Sequence, residues 1–285
     1  MRGVSLEASP TPNQIVTDIR PDRGWLDLDL GAVWRFRELL QVLVMRDLQV
    51  LYKQALLGAG WAILQPVFAV IIFSIIFGFI VRMPSEGVPY PLFAFAGVLP
   101  WTYFAEAVRR SGVGLVTDAE LVRKIYFPRL IMPLANVVSP LVDFCIAFVV
   151  LLIVMAFYGI APNVKMLVIP FLMIVAALLA LSIGLWLAPI NVRFRDIKHT
   201  LPFMIQIWMY ASPIVYPLSL VPEQWRVLYS LNPMVGVIEG FRWAVFGQGE
   251  PNFMALGMSA GIIVVLLAGG LVFFRRMERT FADVI

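Results

Sequence analysis

The chain has 285 residues, of which 61% are hydrophobic and 14% charged, and its formal net charge is +4. Soluble domains carry about a quarter charged residues, so a soluble fold is excluded, and a small positive charge set among long apolar runs is no signal for nucleic acid. Cys145 and His199 are the sole cysteine and histidine, which excludes an intramolecular disulfide and argues against a metal site or a Cys/His catalytic site.

In chain order, residues 1–31 read as a polar cytoplasmic tail. The first 30 residues hold Pro10, Pro12, Pro21 and several charges, without the apolar core of a signal peptide. Residues 32–60 read as an amphipathic helix followed by a turn. Phe36, Leu39, Leu40 and Leu43 recur at helical spacing, while Arg35, Arg37, Glu38 and Gln41 fall elsewhere on the wheel. A basic amphipathic helix beside a membrane span lies in the interface with its apolar face in lipid, or it packs that face on protein. Gly58 and Gly60 let the chain turn into the first span.

Residues 61–275 form the transmembrane unit. From Trp61 to Val81 there is no ionisable residue; at about 1.5 Å per residue such a run crosses a hydrocarbon core of roughly 30 Å. The further spans are expected near Leu92–Val108, Leu134–Tyr158, Met166–Pro189, Thr200–Pro217 and Phe253–Phe274, giving six in all. Residues 276–285 are a cytoplasmic C-terminus. Lys and Arg test the count. Seven precede span one, five lie between spans two and three, three between spans four and five, and three follow span six, leaving four of the 22 on the opposite side. Lys and Arg stay on the cytoplasmic face, so both termini are expected there.

Between spans five and six, residues 222–247 are apolar but too short and interrupted to cross. They read as short re-entrant helices, their non-spanning backbone buried against protein, or else as a loop on the outer surface. The fold class is therefore all-α and polytopic, with six transmembrane helices, an interface helix and re-entrant helices.

No catalytic or metal site emerges. The residues before Lys53, Lys124, Lys165 and Lys198 are Tyr52, Arg123, Val164 and Ile197; none is the Gly of a phosphate-binding loop. The chain carries no cofactor of its own, and ATP-driven work needs a second polypeptide. Asp143 and Glu106 lie within spans, where a charge faces protein or a water-filled cavity; substrate passage and helix tethering are both open to Asp143. Aromatics crowd the spans. They form an interfacial belt, or Trp101, Tyr103 and Phe104, with Asp143, Tyr210 and Tyr216, line a translocation path, where aromatic faces suit the C–H faces of sugars. Gly257 and Gly261 form a GxxxG, a sign of close helix packing.

Four blocks carry a resemblance: RDLQVLYKQALLGAGWAILQP (Arg46–Pro66), LVRKIYFPRLIMPLANVVSPLVDF (Leu121–Phe144), NVRFRDIKH (Asn191–His199) and SLNPMVGVIEGFRW (Ser230–Trp243). Over residues 40–275 the chain resembles the permease subunits of ATP-binding-cassette exporters for cell-surface polysaccharides, the O-antigen, capsule and teichoic-acid type. Gln54-Ala55, where such permeases often have Gly-Ser, is a departure. The resemblance implies a homodimer in the bacterial inner membrane, bound to two copies of a cytoplasmic ATPase that holds ATP and Mg. The substrate it implies is a glycan on polyprenyl diphosphate, most simply O-antigen, with membrane lipids around it and no nucleic acid. It sets Arg123, Lys124, Ile125, Tyr126, Phe127 and Pro128 in the ATPase-coupling loop, with Ile125, Tyr126 and Phe127 suited to an apolar cleft on the partner. Arg193, Arg195 and Asp196 fall in a second cytoplasmic loop, and Pro233, Glu239 and Arg242 in an outer gate. Arg46 and Lys53 are then placed to meet the carrier diphosphate through charge-assisted contacts, or to anchor the chain to anionic lipid. A membrane enzyme acting on lipid-linked sugars and a small-molecule permease are the rival readings.

Overall fold

The computed structural model describes residues 30–53, 60–194 and 196–284, and all regular structure among them is helical. The tail and Gln54-Ala55 lie outside the described residues. Helix α1 (Leu30–Arg35) and helix α2 (Arg37–Lys53) form the segment before the membrane unit. Helix α3 (Gly60–Phe73) continues as π-helical turns over Ser74–Ile80. Then follow α4 (Tyr90–Thr117), α5 (Ala119–Lys124), α6 (Ile131–Val138), α7 (Pro140–Phe157), α8 (Ile169–Arg193), α9 (Ile197–Tyr210), α10 (Glu223–Tyr229), α11 (Pro233–Phe246) and α12 (Phe253–Val284).

Among the described residues, five helical stretches are long and apolar enough to cross a membrane: Gly60–Ile80, Tyr90–Thr117, Ile131–Phe157, Val164–Arg193 and Phe253–Glu278. The first keeps its expected length, shifted by one residue, and the other four are longer than expected. Helix α4 runs about two turns past Val108, because Arg109 and Arg110 find carboxylate partners and need not end the helix at water. Helix α12 continues well beyond Phe274. The third stretch is broken between α6 and α7 at Ser139-Pro140, where Pro begins the second helix, its missing N–H costing nothing at a first turn. The predicted fifth span is the exception. Helix α9 has only 14 residues, and Ala211–Tyr216 is non-helical.

Helix α4 is the centre. It packs most extensively on α8 and also meets α3, α6, α7, α9 and α11, while α12 lies along α8 and α11. Side-chain contacts sort the loops into two ends. At one, the basic end, Arg46 on α2 pairs with Asp118 between α4 and α5, and Arg129 before α6 donates to the Glu278 carbonyl of α12. At the other, Tyr90 donates to the Val215 carbonyl, Asn163 to the carbonyls of Ala244 and Val245, Lys165 to that of Gly247, and Ser219 to Glu86.

The apolar stripe of α2 turns onto protein. Leu43 is buried, Phe36, Leu39 and Leu40 are half-buried against the core, and α2 packs on α6. Its exposed apolar residues are instead Val42, Met45 and Val50, with Trp34 on α1. The packing alternative for this helix is thus the one observed, because α6 offers an apolar surface beneath the stripe.

Candidate functional site

Three polar assemblies and one cleft hold the residues singled out above. The first joins α2, α4 and α7. Glu106 accepts from both Arg109 (2.6 Å) and Arg110 (2.6 Å), one turn away on the same helix. Arg110 also donates to Ser139 at 3.1 Å and stands 3.8 Å from Asp143. Tyr52, near the end of α2, donates its hydroxyl to Asp143. Burial and then this bond push the Tyr52 hydroxyl well above its ordinary range. Asp143 therefore ties three helices together. The Arg110–Glu106 pair is one turn apart and legible from spacing, but the approach of Arg110 to Ser139 and Asp143 and the bond from Tyr52 to Asp143 join residues far apart along the chain and carried no signal.

The second assembly lies at the basic end. Arg46 donates to Asp47 at 2.8 Å and to Asp118 at 3.0 Å. Burial works against its charge, but the bonds to Asp47 and Asp118 outweigh it and hold the guanidinium above its usual value. Two carboxylates thus occupy the donors that a diphosphate needs. The Lys53 side chain lies outside the described residues. Beyond Asp118, α5 ends in exposed Arg123 and Lys124 and leads to an extended segment in which Ile125 and Tyr126 are exposed, Tyr126 at 74%. Phe127 behaves differently. It is buried in the chain's own core, so it anchors the loop from within while Ile125 and Tyr126 face outward; Pro128 follows it, half-buried. In the second basic segment Arg193, Phe194 and Asp196 are exposed, the Arg193 guanidinium lying 5.3 Å from the Phe194 ring centre. Arg195 lies outside the described residues.

The third assembly centres on α11. Asn232 caps this helix, its Oδ1 accepting from the Met234 N–H at 3.1 Å, and Pro233 opens the first turn. Gly247 ends it in the left-handed conformation, φ 69°. The helix delivers Arg242 into the interior, 5% exposed, where Nη1 meets Glu239 at 3.1 Å and Nη2 donates to the Ile214 carbonyl at 2.6 Å. Its guanidinium carbon lies 3.6 Å from the centre of the Phe93 ring, a cation–π contact in a desolvated setting. Gly97 makes room, since a Cβ there would stand 2.7 Å from both Arg242 Nη2 and the Ile214 oxygen. Glu239 and Arg242 thereby clamp the non-helical elbow after α9 onto α4.

Beside that elbow is an open cleft of about 410 Å³, lined by Trp208, Ala211, Trp225, Leu228, Tyr229 and Asn232. Trp208 donates to Asn232 at 2.8 Å, and Asn232 donates to Ser212 at 2.9 Å, so one amide staples the end of α9 to the start of α11. The Tyr216 and Tyr229 hydroxyls meet at 2.8 Å, and Tyr210 is exposed. The expected path residues divide. Trp101, Tyr103 and Phe104 are buried, Phe104 stacking edge-on against Trp208 at 5.1 Å and Tyr103 against Phe144 at 6.2 Å. Tyr216 adjoins the cleft through its bond to the lining residue Tyr229, while Tyr210 is exposed and outside the lining. Trp101 and Phe104 instead support Trp208 from behind, because this part of α4 is enclosed by its neighbours and these aromatics have no free face. The GxxxG of α12 is also relocated: added methyls at Gly257 and Gly261 meet nothing within 4 Å, whereas Gly269 and Gly270 lie against Trp186.

The helices form an apolar bundle around a least-apolar central helix, with a basic end and an aromatic cleft opposite, the build of a membrane domain. The chain belongs to the ABC-2 type transporter family, whose model matches residues 38–246. It is 28% identical over 254 residues to an O-antigen export system permease protein, RfbA, of Myxococcus xanthus, covering 88% of this chain and 96% of that protein. It is 26% identical over 249 residues to RfbA of Klebsiella pneumoniae, with coverages of 87% and 95%. Against the polysialic acid transport protein KpsM of Escherichia coli the identity is 26% over 246 residues, with coverages of 84% and 93%. The chain is a transport subunit and not an enzyme; a cytoplasmic partner ATPase supplies hydrolysis.

Proposed function

We propose that this chain is the membrane subunit of an exporter that moves a lipid-linked polysaccharide, O-antigen on polyprenyl diphosphate, from the cytoplasmic to the periplasmic side of the inner membrane. The observation that carries the reading is the open aromatic cleft at Trp208, Trp225 and Tyr229, in a chain whose relatives over nearly their whole length are named for polysaccharide export. Aromatic faces take up sugar C–H faces with little demand on sequence, which suits a polymer that slides.

The reading includes six crossings with both termini cytoplasmic. Helix α9 begins next to the basic segment 193–196, and the elbow after it reaches Tyr90 and Arg242 at the opposite end. The 14-residue helix and the elbow are read together as the fifth crossing, since at about 1.5 Å per residue the helix alone is shorter than a hydrocarbon core of roughly 30 Å. Helices α10 and α11 then act as the re-entrant outer gate. The exposed apolar face of α9, Phe203, Met204, Ile207 and Tyr210, meets a second copy of the chain, and the cleft opens toward the path between the two copies.

At the basic end, residues 121–128 and 193–198 receive the two ATPase subunits, which hold ATP and Mg. Exposed Arg123, Lys124, Ile125 and Tyr126 supply the contact. Charge reversal at Arg123 and Lys124 is expected to leave ATP hydrolysis running while export stops; export at the normal rate removes the coupling assignment. Arg46 and Lys53 take the carrier diphosphate only by exchanging the Asp47 and Asp118 partners of Arg46 for phosphate oxygens. Neutralising both then lowers the ATPase response to carrier, and an unaltered response assigns them to anchoring. Depletion of the chain from cells should strand lipid-linked polymer on the cytoplasmic leaflet. Loss of drug efflux with normal polymer export would instead favour a small-molecule permease.

A further inference from the structure

The cytoplasmic C-terminus expected after the last span is an unbroken continuation of α12, which runs to Val284. Phe274, Met277 and Phe281 fall on one face of α12 at helical spacing. Phe274 and Phe281 are 2% and 1% exposed, and their rings meet edge to face at 5.6 Å. Met277 packs half-buried against the core. Arg275 and Glu278, paired at 2.7 Å, close the polar side. An apolar stripe therefore continues for two turns past the charges that end the membrane span, and a stripe of that kind persists only where protein covers it.

What meets it is the segment before α6. Arg129 donates to the backbone carbonyl of Glu278, and its guanidinium carbon lies 5.7 Å from the centre of the Phe281 ring. Arg129 sits at the foot of the exposed segment, between buried Phe127 and buried Ile131, and its carbonyl accepts from the Met132 N–H at 3.2 Å. The other foot is Asp118, held by Arg46 of α2 at 3.0 Å. The stretch from Asp118 to Arg129 is thus an arch with its middle exposed and its two feet pinned by different helices, one from each end of the chain.

We propose that residues 275–281 of α12 are a positioning brace for this arch, holding Arg129 and passing displacement of residues 121–128 directly to the last membrane helix. Arg129, Phe281 and Glu278 are positioning groups that touch neither nucleotide nor glycan. A push on the exposed middle of an arch moves the membrane helices only if its feet do not slip. The contact at Arg129 supplies that resistance on the α6 side. The inference rests on reading residues 121–128 as the ATPase-coupling segment.

The test uses the full complex with its ATPase. Arg129→Ala and Phe281→Ala are each expected to lower glycan exported per ATP hydrolysed about fivefold, the size of one lost cation–π contact. Co-purification of the ATPase should be retained. Phe281→Tyr, which keeps the ring, should restore the ratio, and the double Arg129→Ala/Phe281→Ala variant should be no worse than either single one. Should Phe281→Ala fail to accumulate in the membrane, Arg129→Ala and hydrogen exchange at residues 121–128 decide the matter; faster exchange there with α4 unchanged is the expected result. An unchanged export-to-ATP ratio in Arg129→Ala, while charge reversal at Arg123 and Lys124 uncouples, overturns the brace. No effect from that charge reversal overturns the coupling reading itself.

Discussion

The first span and α4 are both membrane-length helices, and they are opposites. Of the apolar stretch in Gly60–Ile80, 11% is buried in protein; for Tyr90–Thr117 the figure is 78%. The more apolar of the two is the more exposed. Phe68, Ile71, Ile72, Ile75 and Phe79 all point outward, as expected where lipid is the solvent and an apolar side chain gains little by leaving it. Helix α4 carries Gly97, Thr102, Glu106, Arg109, Arg110, Ser111, Gly112 and Gly114, residues that are costly in lipid and useful against protein. Hydropathy here reports which face meets lipid, while small and polar residues mark the helix that organises the fold.

The sharpest way to break this contrast is to fill the space α4 leaves for its neighbours. A Cβ at Gly184 would stand 1.9 Å from Ser111 Oγ and 2.6 Å from Ser111 Cβ, too close for a rotamer change to relieve. Gly184→Val should abolish recovery of monodisperse protein from detergent extracts. Alanine at Gly257 or Gly261, with open space around each, should leave the elution profile unchanged. Next in size is Arg242→Ala, which leaves Glu239 buried without its partner and frees the Ile214 carbonyl. Removing one member of a buried pair costs about 3–5 kcal/mol, and the thermal midpoint of the extracted protein should fall accordingly. Arg242→Lys should recover part of the loss, since one ammonium cannot match the fork that meets both groups.

A smaller effect is expected from Tyr52→Phe. It deletes the hydrogen bond to Asp143 while keeping the ring, at about 1–2 kcal/mol, and it loosens α2 from α7. Accelerated proteolysis within α2, with the membrane helices still protected, is the expected readout; an unchanged digest would remove Tyr52 from the tethering network. The smallest is Glu120→Gln. Its partner Lys124 is 2.8 Å away, but the two side chains are 84% and 73% exposed, so no measurable shift in thermal midpoint is expected.

Much of this was legible in order along the chain. The uncharged run from Trp61 and the basic stretch at Arg123 and Lys124 are local signals carried by neighbouring residues, and the asymmetry of Lys and Arg adds up from loop to loop. What stayed hidden depends on partners far away in sequence. Trp101 and Phe104 looked like path residues because nothing local says that this part of α4 is enclosed by its neighbours. Phe127 looked like part of a docking face because its burial is set by the core behind it. Glu106, Arg109 and Arg110 looked like the end of a span because charge stops a helix in lipid unless its partners are supplied, and here Ser139 and Asp143 help to supply them.

By itself the sequence determined that the chain lives in a membrane, which loops carry the basic charge and where most helices begin, since these follow from the transfer of single side chains between water and lipid. Only the tertiary structure decided which helix is central, that the cleft falls to Trp208, Trp225 and Tyr229, and that the C-terminal turns reach back to Arg129. Those outcomes depend on which side chains meet across the bundle, and in lipid such meetings are selected by close packing and satisfied polar groups rather than by hydrophobicity.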